Sequence, residues 1–200
     1  MSLDIHLLRH GETAWNLDGR LQGRLDSSLT EMGRRQAQQL GDLLASRFPE
    51  TSLPPLQVSP LGRAQETANL IRAREATRGH ATTGFITEPR LTEVSFGDWE
   101  GLTFDDIEND WDDLIDAYDD LDWLFEAPSG EGFDEALARV DSWLQDQSTA
   151  IVAITHGLTA QVICGAYLGL DRAEISAFSV EHGVIYRLHD GKIEPIRVNS

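Results

Sequence analysis

The chain has 200 residues, 40% of them hydrophobic and 25% charged, a length that suits one domain whose core needs no disulfides. No apolar run reaches the ~18 residues a membrane-spanning helix needs, and the single cysteine, Cys164, cannot build a disulfide framework and fits a reducing compartment. The formal net charge of −18 works against binding to nucleic acid or to an anionic membrane.

Ile5 to Leu8 reads as a short buried strand that ends in Arg9-His10-Gly11. Thr30 is placed to cap a helix whose apolar side is Ala37, Leu40, Leu43 and Leu44. Leu56-Gln57-Val58 is a second strand, followed by a helix carrying Ala64, Ala68 and Ile71, and Phe85-Ile86-Thr87 is a third. Ala150 to Ile154 is the clearest strand; Thr155-His156-Gly157 follows it, then a helix with Val162, Ile163 and Tyr167. Val184 to Leu188 and Ile193 to Val198 flank Asp190-Gly191, a strong hairpin turn. Strands alternating with helices predict an α/β fold: three layers, α/β/α, with a mostly parallel sheet and a terminal β-hairpin.

The negative charge is concentrated. From Leu91 to Ala138 there is no Lys or Arg, and 17 of the 34 acidic residues lie there, whereas the rest of the chain holds 17 acids against 16 bases. Eight of the 15 aromatic residues share that segment. Trp111, Leu114, Ile115, Tyr118, Leu121, Leu124 and Phe125 recur at helical spacing among Asp110, Asp113, Asp116, Asp119 and Asp120. This predicts an amphipathic helix pair or one bent helix, not disorder. Residues 1–200 are expected to form one domain, with 98–130 a helical lid inserted in it and folded over the sheet's edge.

Two predicted strands end alike, in Arg9-His10-Gly11 and Thr155-His156-Gly157. In a parallel sheet, residues at the carboxyl ends of neighbouring strands converge on a ligand site. One such histidine reads as structural; two in matching contexts point to function. Arg9, and Arg63 just after the strand end Val58-Ser59-Pro60, add a positive pole. Guanidinium forks with an imidazole suit a phosphoryl group, whose oxygens they bond bidentately. The six histidines, His6, His10, His80, His156, His182 and His189, form no metal-binding pattern. A Gly-rich nucleotide loop is also absent. Cys164 sits on an apolar helix stripe and reads as a core residue.

The blocks together resemble the histidine phosphatase superfamily, which includes the cofactor-dependent phosphoglycerate mutases. They run Leu8-Arg9-His10-Gly11-Glu12-Thr13 with Trp15-Asn16, Leu21-Gln22-Gly23-Arg24-Leu25-Asp26 with Leu29-Thr30 and Gly33, and Ser59-Pro60-Leu61-Gly62-Arg63-Ala64-Gln65-Glu66-Thr67-Ala68. Arg90-Leu91-Thr92-Glu93, Phe96-Gly97-Asp98-Trp99-Glu100-Gly101, Gly130-Glu131 and Thr155-His156-Gly157 complete the set. The resemblance implies His10 as the nucleophile that becomes a phosphohistidine. It implies Arg9, Arg63 and His156 as the clamp on the phosphoryl oxygens, Asn16 as a further lining residue, and Glu93 as the group that protonates the leaving oxygen and then activates water. Gln22, Gly23 and Ser59 are expected either to shape the pocket or to serve as turn or packing residues, Gly157 to join the substrate-binding set, and Glu12 and Arg90 to be supporting or surface groups.

Mutases of this family resemble one another in using Lys and Arg from the segment after the catalytic glutamate, and here that segment has none. An acidic, base-free lid repels a phosphoglycerate, and Phe96 to Gly101 resembles the broad-specificity and α-ribazole-phosphate phosphatase branch. The expected activity is therefore metal-independent hydrolysis of a small-molecule phosphate ester, without a cofactor, the alternatives being a mutase-type phosphotransferase and a noncatalytic interaction protein. Trp99, Phe104, Trp111, Tyr118, Trp123, Phe125 and Phe133 offer an apolar wall to a hydrophobic or cationic leaving group or, more simply, form the lid's own core. The optimum is expected below pH 7, the location cytoplasmic, and nucleic-acid and membrane partners absent; an exposed lid or edge strand could pair two chains as a homodimer.

Overall fold

The structure, a computed structural model, describes residues 3–48, 53–77, 84–117 and 122–197. His80, Tyr118, Asp119, Asp120, Leu121 and Val198 lie outside them. The first strand, β1 (Asp4–Arg9), leads through a short helix α1 (Ala14–Leu17) into α2 (Glu31–Arg47), β2 (Leu56–Val58), α3 (Gly62–Thr77) and β3 (Phe85–Thr87). Then come α4 (Phe104–Ile115), α5 (Phe133–Gln145), β4 (Ile151–Thr155), α6 (Gly157–Leu168), α7 (Arg172–Ala177) and the hairpin β5 (Val184–His189) and β6 (Lys192–Arg197). The six strands form one sheet in the order β3-β2-β4-β1-β5-β6. The first four run parallel, and β5 and β6 are antiparallel to their neighbours.

Strand periodicity divides the interior in two. Ile5, Leu7, Ile151, Ala153, Val184, Tyr186 and Leu188 face one core together with Val140 of α5 and Ala160 of α6. Leu8, Val152, Ile154 and Ile185 face the other, with Leu40 and Leu44 of α2 and Ala68 and Ile71 of α3. Side chains two apart share a face because successive Cβ atoms alternate across a strand, so the alternation itself builds three layers. After β1 the chain leaves toward the α2–α3 layer, and after β4 it enters α6 on the opposite one. The adjacent carboxyl ends of β1 and β4 thus form a topological switch point, where open α/β sheets leave a crevice.

Thr30 caps α2 as its position implies, its side chain accepting from the Gly33 amide. The acidic segment becomes α4, interrupted at Trp111 (φ −135°, ψ 33°), and a 3-10 turn over Asp122–Glu126. Its buried residues Trp99, Ile107, Trp123, Leu124 and Phe125 join the core shared with α5 and α6. Arg172 of α7 binds Asp122 and Glu126, each at 2.7 Å. The segment therefore rests on the helical layer and not, as the sequence suggested, over a sheet edge, and there its five large side chains leave water. The sequence reading also passed over α5 and α7.

Candidate active site

His10 follows β1 and His156 follows β4, and the register pairing Arg9 with Thr155 brings them side by side. The His10 amide donates to the Thr155 carbonyl at 2.9 Å, and the two rings lie 5.1 Å apart. Both are buried, His10 1% and His156 0% exposed. Nδ1 of His10 is 2.7 Å from the Gly11 carbonyl, which can only accept, so Nδ1 carries the proton. Nε2 then holds the lone pair, in agreement with the Nε–H of Arg63, a group that can only donate, 3.2 Å from it.

Arg63 enters on the first turn of α3 and is held from behind. Its Nη1 donates to the Leu25 carbonyl at 2.6 Å and to Asp26 Oδ1 at 2.9 Å, and its Nη2 to the Gly23 carbonyl at 2.8 Å. These contacts leave one Nη2 proton and the Nε–H on the side of His10. Asp26 also accepts from the Gly62 and Arg63 amides, so one carboxylate fixes both the helix start and the guanidinium. Gly23 has φ +50°, and a Cβ there would strike the Glu100 carboxylate. Arg9 donates Nη1 to the Val180 carbonyl at 3.0 Å, while its buried Nε and Nδ1 of His156 have no hydrogen-bond partner among the described residues. Nε2 of His156 meets Ser59 Oγ at 2.6 Å, which orients the ring. Gly157 lets the backbone approach Arg9, whose guanidinium carbon would lie 3.1 Å from a Cβ at that position.

Glu93 reaches the start of α6. Its Oε1 accepts from the Val94 amide at 3.0 Å and the Thr159 amide at 2.9 Å, with the Thr159 hydroxyl 3.0 Å away. Its Oε2 has one long contact, 3.4 Å from the Leu158 amide. Glu93 thereby caps a helix to which it does not belong, and the cap turns one oxygen toward the cavity. That cavity, about 210 Å³, is lined by Arg9, His10, Arg63 and Glu93. Asn16, Gln22, Gly23 and Gly157 line it too. Asn16 spends Oδ1 on the Thr13 amide and hydroxyl, which leaves its Nδ2 as a donor. Nine residues singled out in the sequence thus come together, eight at the cavity wall and His156 against the His10 ring. Glu12 instead accepts from Thr30, and Arg90 pairs with Glu88 and Asp146. Among the described residues, no three His, Cys, Asp or Glu side chains are grouped to hold a metal ion, and no helix is long and apolar enough to cross a membrane.

With this geometry in place, residues 5–196 match the model of the histidine phosphatase superfamily, branch 1. The chain belongs to that superfamily. It is 31% identical to the probable phosphoglycerate mutase GpmB of Photorhabdus laumondii over 84% of this chain and 76% of that one. An α-ribazole phosphatase from Shigella flexneri superimposes with a TM-score of 0.76 at 28% identity, covering 100% of this chain and 96% of the other. A mycobacterial glucosyl-3-phosphoglycerate phosphatase, solved with VO3, gives 0.72 at 28% identity over 92% and 91%.

In this superfamily member the two buried histidines share an unusual electrostatic setting. His10 is held well below the usual histidine range, chiefly by burial and then by His156, Arg63, Arg9 and His182. His156 is lowered for the same first reason, with Arg63 and Arg9 adding to it. A neutral imidazole with its lone pair on Nε2 is the form that attacks phosphorus. Sequence reasoning missed His182, whose Nδ1 donates to the His10 carbonyl at 2.7 Å and whose ring meets that of His10 edge-on at 5.5 Å. It missed Thr159 as well. In the acidic segment the simpler reading of the aromatics holds, and the reading of the acids is corrected. Trp99, Trp123, Phe125 and Phe133 are buried against one another, so the aromatics mostly form their own core. The acids of α4 from Asp105 to Asp113 are exposed and do not line the cavity, to which the segment contributes Glu93, Phe96 and Leu124.

Burial of neutral histidines has a cost in acid. His6 and His182 are pushed down to about 4, mainly by burial, and His10 and His156 fall well below 6.5. Between those values and 6.5 the unfolded chain binds protons that the folded chain refuses. Their contribution to stability is therefore complete above pH 6.5 and lost as pH falls toward 4, about 1.4 kcal/mol per pH unit for each histidine. Urea unfolding at pH 7.5, 6, 5 and 4 is expected to show this fall, and His6→Phe, which removes one such group beside Phe48, to flatten it. Stability that stays level from pH 7 to 5 would contradict the assignment.

Proposed function

We propose that this protein is a phosphomonoester phosphatase that works through a phosphohistidine on His10. The observation that carries the reading is the lone pair of His10 Nε2, which meets the Nε–H of Arg63, in a site where buried Arg9 Nε and His156 Nδ1 have no partner among the described residues. Nε2 attacks phosphorus in line, and the bond to the ester oxygen breaks. Arg9, Arg63 and His156 donate to the equatorial oxygens, where charge accumulates. Glu93 gives a proton to the departing alcohol. Its carboxylate then takes a proton from water, whose oxygen attacks phosphorus as the P–N bond breaks. Inorganic phosphate leaves, and His10 returns neutral. The hydrogen bond from Nδ1 to the Gly11 carbonyl supports the positive charge that the ring acquires on phosphorylation.

Hydrolysis is favoured over mutase transfer by where the cations are. Those lining the cavity are Arg9, Arg20 and Arg63, and the first and last are committed to one phosphoryl group. Arg20 alone remains for the carboxylate and second phosphate of a phosphoglycerate. Release of inorganic phosphate from a panel of monoesters, with and without exhaustive chelation, tests the reading beside a phosphoglycerate interconversion assay. The expected result is chelator-insensitive release with negligible interconversion; efficient interconversion, or activity abolished by chelation, would overturn it.

A further inference from the structure

A second cavity, about 340 Å³, adjoins the first and shares Arg9, Asn16, Arg20 and Leu21 with it; Phe104 and His182 are among its own walls. Phe104 is 46% exposed, although it opens a helix whose next residues, Asp105 and Asp106, are acidic and exposed. Its position is rigidly set. The Leu21 amide donates to the Leu102 carbonyl at 2.9 Å, and Arg20 Nη1 to the Gly101 carbonyl at 2.8 Å. Thr103 and Asp106 close a capping box around the start of α4. The Phe104 ring stands edge to face with Trp123 at 5.8 Å, nearly perpendicular to it. One side of the ring is thus braced by a buried tryptophan and the rest is left to the cavity.

The rest of the lining is mostly polar, and of its two cations Arg9 is already committed to the phosphoryl group. His182 Nδ1 donates to the His10 carbonyl, so its Nε2 is an acceptor. Asn16 Nδ2 is a donor, because Oδ1 is already used. The second cation, Arg20, shares the lining with the carboxylate of Glu12. Such a space suits a flat, uncharged ring with a polar edge: it stacks on Phe104 and exchanges hydrogen bonds with His182 and Asn16. It offers little to a second phosphate or a carboxylate.

We propose that this cavity receives the leaving group, and that the substrates are phosphate monoesters of alcohols carrying an uncharged aromatic or heteroaromatic ring. The inference rests on the phosphatase reading above and names the substrate class of the same site. Phenethyl phosphate and propyl phosphate test it, since their leaving alcohols have similar basicity and only one carries a ring. The wild-type protein is expected to favour phenethyl phosphate in kcat/KM. Phe104→Ala is expected to lower the phenethyl-to-propyl ratio about fivefold, mostly through KM, and Phe104→Tyr to restore it. An unchanged ratio in Phe104→Ala, or equal losses on both esters, overturns the inference while leaving the phosphatase reading standing. If the wild type hydrolyses neither ester, the phosphatase reading fails and the inference fails with it.

Discussion

Replacing His10 with Ala is expected to lower kcat/KM for nitrophenyl phosphate by roughly 10⁴- to 10⁶-fold, the usual consequence of losing a covalent nucleophile. That is roughly 5 to 8 kcal/mol of transition-state stabilisation. The effect is large because the residues around His10 act as one unit. Arg63 is fixed by Leu25, Asp26 and Gly23, and its Nε–H points at His10 Nε2. With the imidazole gone, the clamp still holds a phosphate ester but offers no atom to receive phosphorus. The fold is expected to survive, because the substitution also removes a desolvated ring crowded by His156, Arg9 and Arg63. Rapid quenching in alkali separates the nucleophilic role from a structural one. Wild-type protein should carry protein-bound phosphate that is stable in base and released by acid, as phosphoramidates are, and His10→Ala should carry none. Retention of activity within tenfold, or an acid-stable phosphoprotein, would remove His10 from the mechanism.

The parts of this site that the sequence disclosed are those set by strand ends. Arg9-His10 and Thr155-His156 each follow a run of apolar residues with strand periodicity. Once both runs are read as neighbouring parallel strands, the two histidines must meet. The hairpin was equally plain, because Asp190 (φ 48°) and Gly191 (φ 70°) occupy the left-handed conformations that an Asp-Gly turn demands. His182 carried no such mark. It lies in the loop before β5, which becomes adjacent to the end of β1 only because β5 runs antiparallel to β1, a pairing that local pattern does not specify. Helix α7 has six residues, too few for periodicity, and only the capping box of Asp171 and Glu174 announces it. The lid showed the opposite failure. Its composition was read correctly as amphipathic, but composition does not say which way the acids face. Those of α4 face solvent, and so the case against a mutase rests on the cations missing from the cavity and not on the carboxylates nearby. The charge of −18 acts on a polyanionic substrate only as a field attenuated by solvent.

Glu93→Gln should divide the reaction into its two halves. The Glu93 carboxyl is asymmetric: Oε1 is engaged by the Val94 and Thr159 amides and lies beside the Thr159 hydroxyl, whereas Oε2 has, among the described residues, only the 3.4 Å contact to the Leu158 amide. Oε2 is therefore the oxygen placed to exchange a proton with the substrate or water. Glutamine preserves the shape and can keep its oxygen on the helix-start amides, but its NH₂ neither yields nor accepts a proton at useful cost. General acid–base contributions of this kind are worth about 10²- to 10⁴-fold. An alkyl phosphate, whose alkoxide leaves poorly, should lose phosphorylation itself by about that factor. A nitrophenyl ester, whose phenolate leaves without help, should still phosphorylate His10, and the defect should move to the water step. Stopped-flow measurement on the variant is then expected to give a burst of nitrophenolate near one equivalent per chain, followed by slow turnover with phosphohistidine accumulating. Equal losses on both esters with no burst would mean that Glu93 only holds the start of α6 in place. A burst on both would mean that the leaving oxygen takes its proton from another group.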